Sequence, residues 1–77
     1  MDTSEYILIV NTVQHELDTV IEYGICVIAN SCGKKIVIDS IPNISVNIEF
    51  LIAMVKLFNE LELSPIHFRD VLEDYIS

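Results

Sequence analysis

Hydrophobic and polar positions along the chain fall into two regimes. The first half carries short β-branched and aromatic runs with no helical period. Residues 5–11, Glu5-Tyr6-Ile7-Leu8-Ile9-Val10-Asn11, read as one strand, residues 20–29 as a second and residues 35–41 as a third. Asn30-Ser31-Cys32-Gly33-Lys34 separates the last two, with glycine placed for a left-handed turn, which is a hairpin signal. Residues 13–19 leave two options, a continuation of both strands around a tight turn at 16–18 or a looser loop. Gly24, inside the second strand, predicts a bulge or the close approach of another backbone or a ring. Pro42 ends the third strand in this reading, because it lacks a ladder donor.

The second half switches to helical spacing. Ser45 or Asn47 caps a helix that runs to about Leu61. Its main apolar face is Ile48, Leu51, Ile52, Val55 and Phe58. Phe50, Met54, Leu57 and Leu61 widen that face until the helix is covered on most sides. Ser64-Pro65 opens a second helix, with serine as the side-chain cap and proline at the first helical position. Its apolar face is Phe68, Val71, Leu72, Tyr75 and Ile76. Short connections make an antiparallel three-stranded meander followed by a two-helix hairpin on one sheet face, an α+β fold of order βββαα in one domain spanning residues 1–77.

The strands are apolar on both faces. Tyr6, Leu8 and Val10 point one way and Ile7 and Ile9 the other, and Ile36 and Ile38 oppose Val37 likewise. A sheet with one wet face alternates apolar and polar residues, so both faces are expected to be covered, one by the helices and one by something else. Composition points the same way. The 77 residues are 52% hydrophobic, and so short a chain buries only about 60% of its unfolded surface. A homodimer or a protein partner is the expected cover, with Ile7, Ile9, Val37, Phe50, Met54 and Leu57 as the candidate interaction residues. Singly exposed apolar residues, which are ordinary, are the bland alternative.

Charge narrows the partner. Twelve acidic and four basic side chains leave a net charge of −8. That disfavours a nucleic-acid backbone and an anionic membrane surface. No apolar run has the length of a membrane span. Met1-Asp2-Thr3-Ser4-Glu5 lacks the basic start of a signal peptide, so the cytoplasm is the expected compartment. Cys26 and Cys32 lie outside zinc-pair spacing and read as a buried thiol and an incidental one, with no cofactor expected. Lys34 and Lys35 read as a solubility tip and edge guard.

One constellation has metal-ligand or acid–base composition. His67, Asp70 and Asp74 share a flank of the last helix. Solvated helix charges explain the same residues. No phosphate loop and no nucleophile–base order is present, so no enzymatic reaction is expected. A non-enzymatic interaction or regulatory protein is the primary reading. A small metal or ligand binder using His67, Asp70 and Asp74 is one alternative, and an acidic inhibitor of a nucleic-acid-binding protein is another.

Tyr23-Gly24-Ile25, Asn59 and above all residues 63–76, Leu63-Ser64-Pro65-Ile66-His67-Phe68-Arg69-Asp70-Val71-Leu72-Glu73-Asp74-Tyr75-Ile76, resemble a family of small uncharacterised proteins of clostridia and related Gram-positive bacteria, a domain of unknown function. The resemblance runs from about Tyr6 to the end. It implies a bacterial cytoplasmic origin and brings no activity. Within it His67, Asp70, Glu73 and Asp74 are the polar positions to follow.

Overall fold

The structure, a computed structural model, describes residues 3–76; Met1 and Asp2 of the N-terminal segment and Ser77 lie outside them. Strands β1 (Thr3–His15), β2 (Asp18–Ser31) and β3 (Lys34–Ser45) precede helix α1 (Ile48–Glu60), a 3₁₀ turn (Pro65–His67) and helix α2 (Phe68–Ile76). The sheet is antiparallel in the order β1-β2-β3, so β1 and β3 are its edges. The βββαα arrangement is the predicted one.

The strands are longer than the sequence pattern indicates. β1 and β2 pair without a break from Thr3↔Asn30 to His15↔Asp18, so residues 13–19 take the tight-turn option, with Glu16 at φ 50°. Polar residues near the turn remain compatible with a ribbon because both of its faces meet water. β3 pairs with β2 only as far as Tyr23↔Ser45. Beyond that level, from the Val10↔Tyr23 pair outward, residues 11–22 project as a two-stranded arm, with Leu17 97% exposed at its tip. The second turn places Cys32 at φ 52° and Gly33 at φ 77°, the left-handed pair of a type I′ hairpin.

Pro42 does not end β3. It lies in an irregular stretch of an edge strand between Ile25↔Ile41 and Tyr23↔Ser45, where the ladder does not need its donor. Gly24 sits opposite that irregularity. A Cβ there would lie 2.1 Å from the Ile41 carbonyl oxygen and 2.5 Å from that of Pro42, so the β3 backbone occupies the space a side chain would need. Asn11 Nδ2 donates to the same Pro42 oxygen at 2.8 Å and ties β1 to this crossing.

The core lies between one sheet face and the helices. Tyr6, Ile25 and Val27 from the sheet meet Leu51, Met54 and Phe58 of α1 and Phe68 and Leu72 of α2. The Tyr6, Phe58 and Phe68 rings contact one another at centroid distances of 5.4, 5.5 and 6.2 Å, in tilted and edge-to-face geometry. The buried stripe of α1 is therefore Leu51-Met54-Phe58, flanked by Phe50, Val55 and Leu57. This corrects the predicted face. Ile48, Ile52 and Leu61 are exposed, because the helix rests on the sheet with one stripe and none of the described elements covers its far sides. Tyr75 and Ile76 of α2 are also exposed.

Helix ends follow local chemistry. Asn47 caps α1, its side chain accepting from Phe50 N at 3.2 Å, and Ser45 Oγ accepts from Asn47 N at 3.0 Å. At the other end Glu62 takes φ 51°. Glu62 N donates to Asn59 O at 3.2 Å and Leu63 N to Phe58 O at 3.0 Å, the bonding of a Schellman motif. The Ser64 side chain makes no capping bond. The chain enters α2 through a 3₁₀ turn, and it is the Ser64 carbonyl that accepts, from His67 N at 2.9 Å.

Candidate interaction surface

Antiparallel register sorts the strand residues by face. Tyr6 and Leu8 of β1 and Tyr23, Ile25 and Val27 of β2 face the helices. The alternate positions face outward. Ile7 pairs with Cys26 and Ile9 with Gly24, and Ile28 pairs with Val37. The outer face therefore carries Ile7, Ile9, Cys26, Ile28 and Val37. Cys26 is buried at the centre of the sheet, Ile7, Ile9 and Ile28 are half-buried, and Val37 is 60% exposed. The helices lie on the other side. Cys26 and Ile28 escaped the sequence reading as surface candidates; the β1–β2 register would have found them, since it sets Cys26 beside Ile7.

The helical candidates sit elsewhere. Met54, expected at an interaction surface, is buried in the core, and Phe50 and Leu57 are packed against that core. Their stripe faces the sheet, so Met54 is withdrawn from contact with another molecule.

Three polar contacts join the sheet to the helical half of the chain. Tyr6 N donates to Asn59 Oδ1, and Asn59 Nδ2 donates to Tyr6 O, both at 2.8 Å. One carboxamide thus satisfies both backbone groups of a residue on the sheet edge. The Tyr6 hydroxyl donates to Leu63 O at 2.7 Å, and burial pushes the phenol above its ordinary pKa. Arg69 of α2 grips Asp39 of β3 with two bonds, Nε to Oδ2 at 2.8 Å and Nη2 to Oδ1 at 2.7 Å. The guanidinium, aided by the Ser40 amide, outweighs partial desolvation and holds the Asp39 carboxyl below its ordinary range. Neither Asn59–Tyr6 nor Arg69–Asp39 is visible in sequence spacing, because each joins residues far apart in the chain.

His67, Asp70 and Asp74 are all exposed. His67 closes the 3₁₀ turn and the two aspartates belong to α2. Among the described residues no three His, Cys, Asp or Glu side chains are grouped to hold a metal ion. An open groove of about 390 Å³ runs between β3 and α2, lined by Ile41, Asn43, Ile44, Leu72 and Ile76 with Arg69 and Glu73 at its rim. Its one basic group is already engaged by Asp39.

Among the described residues no helix is long and apolar enough to cross a membrane. No curated protein and no solved structure is similar to the chain. A family of unknown function does match it, over residues 2–77, and the chain belongs to that family, DUF6514.

Proposed function

We propose that this chain is a small, acidic, non-enzymatic interaction or regulatory protein that associates with itself or with a protein partner through the outer face of its sheet. The observation that carries this reading is the apolar row Ile7, Ile9, Cys26, Ile28 and Val37, on the side of the sheet away from both helices.

Surface area supports it. The chain exposes 5460 Å², whereas a self-contained monomer of 8.7 kDa exposes roughly 4,700 Å². The net charge of −8 favours a neutral or basic partner surface over nucleic acid or anionic lipid. We place the protein in the cytoplasm of a Gram-positive bacterium, on the resemblance of its C-terminal third.

The test is sedimentation at micromolar concentration with outer-face variants. The wild type is expected to exceed 8.7 kDa, alone or with its partner, and Ile7→Glu and Ile28→Glu to lose the contact made by the outer face while the fold persists. Association unchanged by both variants refutes the outer face as the docking surface.

A further inference from the structure

The two sheet edges are built differently. β3 carries Lys34, Lys35 and Asp39, two register irregularities and Pro42, all devices that keep an edge from pairing with another strand. β1 carries no proline and no break in its pairing with β2, and its one acidic side chain, Glu5, lies near its start. Its residues 6–14, Tyr6-Ile7-Leu8-Ile9-Val10-Asn11-Thr12-Val13-Gln14, hold no charged side chain and no proline, in a chain of net charge −8. The strand is 13 residues long, against a usual strand length of about 5–6.

Alternation shows where that edge is open. In an antiparallel pair, every second residue turns its N–H and C=O away from the neighbouring strand. Tyr6 is such a residue, since its N–H and C=O go to Asn59. The unbroken register then directs the N–H and C=O of Leu8, Val10 and Thr12 outward as well. Asn59 closes the edge at Tyr6 and leaves it open beyond.

Helix α1 reaches the same edge through Asn59. Ile48, Ile52, Val55 and Asn59 recur at i, i+4, i+7 and i+11, so they form one row along the helix. Asn59 reaches the β1 edge, so its row faces that edge. Ile52 is 51% exposed, and on the β1–β2 arm Val10 is 60% and Ile21 50% exposed. Thr12 pairs with Ile21 and Val10 with Tyr23, which puts Val10, Thr12 and Ile21 on the helix side of the arm. Open hydrogen-bonding groups along a strand, roofed by an apolar helix row, make a slot for an added β-strand.

We infer that the strand filling this slot is β1 of a second copy, paired antiparallel about a two-fold axis near Val10 to give a continuous six-stranded sheet. The chain supplies both halves of the contact, as an isologous dimer requires: an edge without charge, and an apolar arm face to lie beneath the partner's Ile48–Ile52–Val55 row. The seam is also where two acidic chains approach with least repulsion. This rests on the self-association proposed above but assigns it to the edge, which leaves the outer face for a protein partner.

The full wild-type chain tests it by amide hydrogen exchange and by NMR on mixed labelled and unlabelled copies. As concentration rises, the Leu8, Val10 and Thr12 amides are expected to gain protection on the order of tenfold or more. Contacts between copies are expected to join residues 8–12 to themselves and to Ile52. Val10→Pro removes a donor that β2 does not use, so it is expected to keep the fold and sediment at 8.7 kDa. Val37→Lys, at an equally exposed valine of β3, is expected to remain dimeric. Should Val10→Pro fail to fold, the wild-type contacts decide. Contacts between copies confined to Ile7, Ile28 and Val37 overturn the edge pairing and leave the outer-face reading standing. A chain that stays monomeric throughout overturns the pairing and leaves the outer face to a different protein.

Discussion

Replacing Asn59 with alanine removes the carboxamide that bridges the α1 end to the β1 edge. Two hydrogen bonds of 2.8 Å disappear, and the peptide groups of Tyr6, a residue only 2% exposed, lose their partners. Each bond contributes about 1 kcal/mol net, and an unsatisfied buried group costs about 1–3 kcal/mol. Asn59 itself is exposed, so water reaches part of the vacated site and the total falls near 2–3 kcal/mol. For a domain of this size that lowers Tm by roughly 10–20 °C. Urea and thermal unfolding followed by circular dichroism measure it. Asn59→Asp sharpens the test. Its carboxylate still accepts from the Tyr6 N–H but faces the Tyr6 carbonyl oxygen, so the variant is expected to be destabilised at neutral pH. It recovers part of the loss on acidification, when the protonated carboxyl can donate again. An Asn59→Ala loss below about 0.5 kcal/mol would refute the bridge, since that is no more than an ordinary surface substitution costs.

Gly24→Ala is expected to cost about 3 kcal/mol or more, because the added methyl meets rigid backbone carbonyls at 2.1 and 2.5 Å; urea titration checks it, and a change within about 1 kcal/mol would mean β3 does not cross there. Glu62→Gly is expected to stabilise the fold by about 0.5–1 kcal/mol, since a left-handed residue at the helix end favours glycine; a lower Tm would contradict the motif. Asp39 has a depressed pKa through Arg69, so its pair stabilises the fold above the ordinary carboxylate range and is lost as pH falls through the folded value. The stability gap between wild type and Asp39→Asn should therefore close on acidification below about pH 4, and a gap that does not vary with pH would show that the pair contributes nothing.

Much of the architecture was legible in the chain because it rests on local rules. β-Branched runs, the Cys32-Gly33 turn, the Asn47 cap and Pro65 at the start of the 3₁₀ turn each act within a few residues of themselves. Gly24 was legible too, as a strand glycine that calls for a close neighbour. The candidate surface was only half legible. Ile7, Ile9 and Val37 stood out by alternation. Their neighbours Cys26 and Ile28 did not, because facing partners depend on register, and register is set between strands.

Local patterns along the chain account for the order of elements and the surplus of apolar side chains. Which side of each element enters the core depends on packing between elements. α1 offers apolar residues around most of its circumference, and packing chose Leu51, Met54 and Phe58 while leaving Ile48 and Ile52 in water. A helix touches a sheet along one stripe, and the stripe is selected by which rotation lets Asn59 reach Tyr6 and Phe58 meet the rings of Tyr6 and Phe68. The contacts to Tyr6 join residues about fifty positions apart, and no local pattern encodes them.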